Sequence, residues 1–186
     1  AKAALLPLHL WLPQAYARAP AAVAALFAIM TKVGVYAVLR VYALVFGDGA
    51  GALAGWAWDW LLPAGLVTLV VAMLGALAAR TLRVLAAYMV VASAATLFVA
   101  IALATPQAVG AGLYYLVHST FAAGALFLIA DGARRARGGA LLPLAFLVVA
   151  VSLAGLPPLS GFIGKLLLLQ AVPPAQMPAI WGTVLA

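Results

Sequence analysis

The sequence predicts an all-α fold: a polytopic transmembrane helix bundle with two proline-broken helices. Three observations predict it. Of the 186 residues, 69% are hydrophobic and only 7% are charged, too little polar surface for a soluble domain. The apolar residues come in runs of roughly 20, the length that crosses ~30 Å of hydrocarbon. Prolines interrupt two apolar segments, at Pro7 and at Pro157 and Pro158, where an unbroken helix would not accommodate them.

The elements follow in order. Residues 1–19, "AKAALLPLHLWLPQAYARA", are too broken for a full span and read as the end of an interrupted helix. A first span covers 20–46 and starts at Pro20, a residue favoured in a first helical turn. "GDGAGALAGWA" is a loop. A second span runs over 58–79, and "RTLR" (80–83) turns the chain. A third span covers 84–104, "TPQ" turns again, and a fourth covers 108–130. "DGARRARGG" (131–139) is the most charged loop. The last long segment, 141–171, is interrupted by "GLPPLSGF", with a non-helical stretch expected near 156–161 and Lys165 on the helix that resumes. Beyond Pro173 a further turn and helix begin. The chain opens without an initiator Met or a signal peptide and stops at "WGTVLA". Residues 1–186 therefore read as one transmembrane segment of a longer subunit.

Composition narrows the chemistry. With no cysteine there is no disulfide framework, thiol catalysis or Cys-based metal site. No glutamate occurs, and the acids are Asp48, Asp59 and Asp131, at loops or span ends. No carboxylate dyad, zinc-protease helix or phosphate loop can be assembled, so no metal and no cofactor are expected. His118 and Ser119 are adjacent, point to different sides of a helix and do not form a hydrolase pair. The net charge of +7 does not indicate nucleic acid. Because the spans alternate, Arg18, Arg80, Arg83, Arg134, Arg135 and Arg137 fall on one side with Asp131. Asp48 and Asp59 fall on the other, with Arg40 a short reach away. Short arginine-rich loops are expected to be cytoplasmic.

Four ionisable groups remain inside the apolar segments: Lys2, Lys32, His118 and Lys165. Lys32 lies about 12 residues from either end of its span, so ~18 Å of helix separates it from each interface. Its stem cannot reach water, and a central lysine costs ~2.5–3.5 kcal/mol to insert. A proton-exchanging role is one reading; a lysine held by carbonyls or a carboxylate as helix glue is the other. His118, in "GLYYLVHSTFAAG", is either a proton relay or a hydrogen bond between helices, with Tyr114, Tyr115 and Ser119 placed to hold water beside it. Lys165 follows "AGLPPLSGFIGK". Broken helices beside an ionisable group are common in ion pathways; a packing kink with Lys165 snorkelling is the alternative. Lys2 precedes a similar break, as internal repeats of transporters produce. His9 lies within that break, as a second proton site or an interfacial group.

"PLHLWLPQAYARAPAAVAALFAIMTKVGVYAVLR", "YYLVHSTFAAGALFLIAD" and "LAGLPPLSGFIGKLLLL" together resemble the proton-translocating segment of a known family. It is shared by Mrp-type multisubunit cation/proton antiporters and the antiporter-like subunits of respiratory complex I. The resemblance covers about residues 1–171, and "FAIMTKVGVYAVLRVY" and "HSTFAAGALFLIADGARR" lean to the Mrp (Pha, Mnh) branch. It implies an inverted-repeat fold, in which Lys2 matches the lysine of the seventh, broken helix and Lys32 that of the eighth. His118 matches the histidine of the eleventh, and Lys165 the ionisable residue of the twelfth, broken helix. The third span, "LAAYMVVASAATLF", lacks the "YSSIS"-like polar run common in complex I subunits.

The resemblance implies proton translocation within a hetero-oligomeric complex of the bacterial inner membrane, coupled to Na+ or K+. The partners implied are other subunits, protons, the cation and the lipid bilayer. A proton-pumping subunit of complex I or of a related membrane hydrogenase is the alternative. A lipid-modifying membrane enzyme would need a catalytic acid, nucleophile or metal cluster, which the spans lack. A structural scaffold would tolerate Met in place of the buried lysines.

Overall fold

The computed structural model describes residues 2–56, 58–135, 139 and 141–185; Arg137 and the side chains of Asp48 and Asp59 lie outside the described set. Among the described residues eight α-helices follow in order: α1 (Trp11–Arg18), α2 (Ala21–Val45), α3 (Trp58–Leu77), α4 (Leu82–Ala102), α5 (Pro106–Arg134), α6 (Leu141–Ala154), α7 (Ser160–Gln170) and α8 (Met177–Leu185). No strand occurs among the described residues. Helices α2 to α5 are long and apolar enough to cross a membrane.

Capping sets the helix starts. Thr81 Oγ1 accepts the Val84 N–H at 3.3 Å and Thr105 Oγ1 accepts the Ala108 N–H at 3.2 Å. These caps begin α4 and α5 two residues before the expected 84 and 108. Pro106 occupies the first turn of α5, where its missing N–H costs nothing. The charged loop also begins later than expected. Residues 131–134 are the last turn of α5, with Asp131 bonded to Arg135 at 2.8 Å.

Helix α4 is the centre of the bundle. It is apolar all round, and from Val90 to Ile101 every side chain is buried. A helix of that kind belongs in an interior. α1, α2, α3 and α5 all pack against it, and its alanines, among them Ala87, Ala94 and Ala95, let neighbouring backbones approach. The outer helices keep large apolar side chains exposed, such as Leu26 and Val33 on α2, Leu74 on α3 and Leu147 on α6.

The two breaks lie where the prolines are. The first occupies the non-helical residues before Trp11 and includes the cis Leu6–Pro7 bond. Its backbone is satisfied by a side chain: the Leu6 N–H donates to Thr68 Oγ1 at 3.1 Å, and Thr68 donates to the Ala64 carbonyl at 2.6 Å. The segment crosses α2 closely enough that a Cβ on Gly34 would lie 3.0 Å from the Ala3 nitrogen. Tyr16 then ties α1 to α2, donating to the Phe27 carbonyl at 2.7 Å, with Thr31 Oγ1 at 2.6 Å. The second break divides the expected 141–171 span into α6 and α7. It covers residues 155–159, slightly earlier than expected, and includes the cis Pro157–Pro158 bond. Gly155 closes α6 at φ +77°, a left-handed conformation that favours glycine.

Candidate functional site

The bundle interior carries a line of polar groups through an otherwise apolar core. Lys32 stands at one end of it. It sits halfway along α2 and is 2% exposed. Its Nζ donates to Ser93 Oγ on α4, and Ser93 in turn donates to the Val90 carbonyl at 2.8 Å. No carboxylate lies beside Lys32 among the described residues. The buried ammonium or amine is held by one hydroxyl.

From Ser93 the line continues one helical turn along α4 to Thr96, which bonds the Ala92 carbonyl at 3.0 Å. Residues three apart share a helix face. Thr96 and the buried Tyr115 of α5 line a cavity of about 360 Å³, and Lys165 of α7 lines it from beyond the second break. At about 30 Å³ per water, that space holds on the order of ten molecules. Most of its lining is apolar, from residues such as Leu69, Met73 and Leu153, and Thr96, Tyr115, Thr183 and Lys165 give its water a polar side.

The other limb starts three residues along α5. The His118 ring lies 5.9 Å from that of Tyr115, centroid to centroid. Its Nδ1 is 2.9 Å from Ser160 Oγ, the first residue of α7. Its Nε2 is sealed from solvent without a hydrogen bond. Gly161 makes this approach sterically feasible: a Cβ there would lie 2.9 Å from Nε2 and 1.7 Å from the Ser152 carbonyl oxygen. Lys165 Nζ reaches back across the break and donates to the Ala154 carbonyl at 3.1 Å. That carbonyl ends α6, where the helix dipole favours a cation. The lysine stem packs on Gly155, whose missing Cβ would meet Lys165 Cδ at 2.7 Å.

The remaining sequence candidates are less centrally placed. Lys2 is exposed, in the segment that crosses α2 near Gly34. His9 is buried within the first break, and its Nδ1 has no hydrogen-bond partner. Tyr114 is 39% exposed and borders a groove beside His118. Ser119 is buried and donates to the Leu116 carbonyl of its own helix at 3.3 Å, so the hydroxyl beside His118 is that of Ser160. Ser93, Thr96, Ser160 and Thr68 are the groups that sequence reasoning passed over. Ser93 and Thr96 carried a readable signal, two hydroxyls three residues apart in an apolar span. The partnerships of Ser160 and Thr68 cross between distant segments and left none. No cluster able to hold a metal ion occurs among the described residues.

Comparison with known proteins gives the arrangement a context. A family model described as NADH:quinone oxidoreductase/Mrp antiporter, transmembrane, matches residues 1–186. A D-type component of a probable K(+)/H(+) antiporter of Rhizobium meliloti (strain 1021) is 38% identical over 210 residues, covering 96% of this chain and 39% of the relative. The D-type component of the Na(+)/H(+) antiporter of Bacillus subtilis (strain 168) is 34% identical, covering 88% of this chain and 35% of the relative. A chain in the solved Mrp complex from Dietzia sp. DQ12-45-1b superposes with a TM-score of 0.88 at 31% identity, covering 99% of this chain and 36% of that one. The chain thus spans between a third and two fifths of the length of these relatives.

Proposed function

We propose a function from one premise: the chain belongs to the NADH:quinone oxidoreductase/Mrp antiporter transmembrane family, and is a multi-pass membrane protein. It is the proton-translocating part of a D-type component in a multisubunit Na+ or K+/H+ antiporter. It acts as a secondary transporter within a complex of several subunits rather than as an enzyme. The antiporter names of its relatives favour this over the complex I branch of the family. The membrane is the bacterial inner membrane, and the arginine-bearing ends face the cytoplasm. Arg18, Arg83 and Arg134 line one cavity and so lie at one end of the bundle, which supports that orientation through the positive-inside rule.

Lys32 is the central proton carrier in this reading. Its burial and its single hydroxyl partner, Ser93, are the observation that carries the proposal. Intramembrane ionisable groups without a paired charge are expensive and mark ion or proton paths. Lys2 exchanges a proton or charge with a carboxylate elsewhere in the protein. His118, beside Tyr115 and Ser160, relays between Lys32 and Lys165, with water in the 360 Å³ cavity that Tyr115 and Lys165 line. Lys165, strapped to the end of α6, gates the far exit. Charges along this line repel one another, so a proton arriving at one site drives departure from the next.

The test is a pair of substitutions in the complete complex. Lys32→Ala abolishes proton-coupled cation exchange while assembly persists. Lys32→Arg also fails, because arginine keeps its charge but does not release its proton. Transport is read in everted vesicles and normalised to assembled complex. Near-normal exchange by the arginine variant removes Lys32 from the carrier role.

A further inference from the structure

Far from the lysine–histidine line, at the arginine end of the bundle, lies a cavity of about 590 Å³ that the transport reading does not use. Its polar lining is Gln14 and Arg18 of α1, Thr81 and Arg83 at the start of α4, and Arg134 at the end of α5. Three arginines from three helices line it, Arg18 and Arg134 with exposed side chains, and no carboxylate lines the space among the described residues. The one acid nearby, Asp131, is bonded to Arg135 at 2.8 Å, and Arg134 stands 3.7 Å from it. Arg83 is fixed in place because it donates to the Ala19 carbonyl, yet its Nε is enclosed without a partner. The first turn of α4 contains no acid, and Thr81 caps only its Val84 N–H, so the N–H groups ahead of Val84 have no partner within the helix. The remaining lining is apolar, from Pro13, Leu82 and Val84.

We propose that this cavity binds the phosphodiester headgroup of an anionic phospholipid. Three cations that share at most one carboxylate, itself already bonded to Arg135, attract a further anion, and guanidinium forks match phosphate oxygens. The apolar lining beside them, at the end of membrane-spanning helices, suits a glycerol backbone and the start of acyl chains. Basic pockets between transmembrane helices hold such headgroups by the same physics. The inference requires only the membrane-spanning fold and stands apart from the assignment of the proton carriers.

The test uses the complete complex in vesicles of phosphatidylcholine carrying a phosphatidylglycerol probe with a photoactivatable headgroup. Crosslinks are mapped to peptides by mass spectrometry. The expected crosslinks fall in peptides around Gln14–Arg18 and Thr81–Arg83, and unlabelled phosphatidylglycerol competes them away. Arg18→Gln with Arg134→Gln, neither of which holds a helix in place, raises the probe concentration for half-maximal crosslinking about 25-fold, from about fivefold per arginine. Cation exchange by this double variant, measured in lipid-saturated vesicles, reports that the complex is intact. Absence of crosslinks in these peptides, or crosslinking unchanged by the double variant, overturns the proposal. Competition by phosphatidylcholine as strong as by phosphatidylglycerol also overturns it. Competition by millimolar inorganic phosphate alone shows a free anion as the occupant and overturns the lipid assignment.

Discussion

Ser93→Ala is the substitution that most directly probes the polar line. The change removes one oxygen, and that oxygen is the hydrogen-bond acceptor for Lys32 Nζ. Lys32 is 2% exposed, so water does not replace the lost partner without rearrangement. A hydrogen bond to a charged group is worth about 1.5–3 kcal/mol. If that bond holds the protonated lysine during transfer, its loss slows exchange by roughly 10- to 100-fold, at about 1.4 kcal/mol per decade. Ser93→Thr keeps the hydroxyl and retains most activity. Ser119→Ala is the matched control, since that hydroxyl bonds only the Leu116 carbonyl of its own helix; it changes exchange by less than about twofold, as expected when no contact between helices is lost. The assay is cation-dependent dissipation of a pH gradient in everted vesicles, normalised to assembled complex. Wild-type rates from the Ser93→Ala complex would refute the reasoning.

Three further outcomes are expected. Gly161→Ala places a Cβ 1.7 Å from the Ser152 carbonyl oxygen of α6 and 2.9 Å from His118 Nε2 of α5, so α7 must move away from both helices, α6 above all; exchange is lost and thermal stability falls by at least about 2 kcal/mol, checked by transport and by the unfolding temperature in detergent. Thr68→Val leaves the Leu6 N–H without its acceptor and destabilises the fold by about 1–3 kcal/mol; an unfolding temperature within error of wild type contradicts this. A cysteine placed at Ala133, in this cysteine-free chain, is labelled by an impermeant reagent in everted vesicles and not in intact cells; the opposite pattern reverses the orientation.

The outline of the fold was legible because a membrane imposes two rules at once. Apolar runs of span length mark helices, and proline inside such a run marks a break. Both rules placed α2 to α5 and the interruption before α7 within a few residues. Helix ends were less legible. Thr81 and Thr105 start their helices early through caps that compete with the surrounding turns, and Asp131 extends α5 by pairing within its own last turn. The titratable candidates stood out because charge is rare in such a sequence. Their partners did not, because serine and threonine are inexpensive in apolar helices and occur there without function. Nothing in the local sequence of Ser160 says that it meets His118, 42 residues away; that pairing exists only once α7 packs on α5.

The two interrupted helices are joined by different chemistry, and this gives them different sensitivities. Before α1, the loose backbone is pinned by Thr68, a neutral hydroxyl that is indifferent to pH and to membrane voltage. Between α6 and α7, the tie is the Lys165 ammonium on the Ala154 carbonyl, a bond roughly twice as strong while the amine is charged as when it is neutral. One joint is therefore a fixed hinge pin. The other is an ionisable tie, and in the proposed proton path its strength follows the charge on one amine, so the joint between two half-helices would register whether that proton has passed.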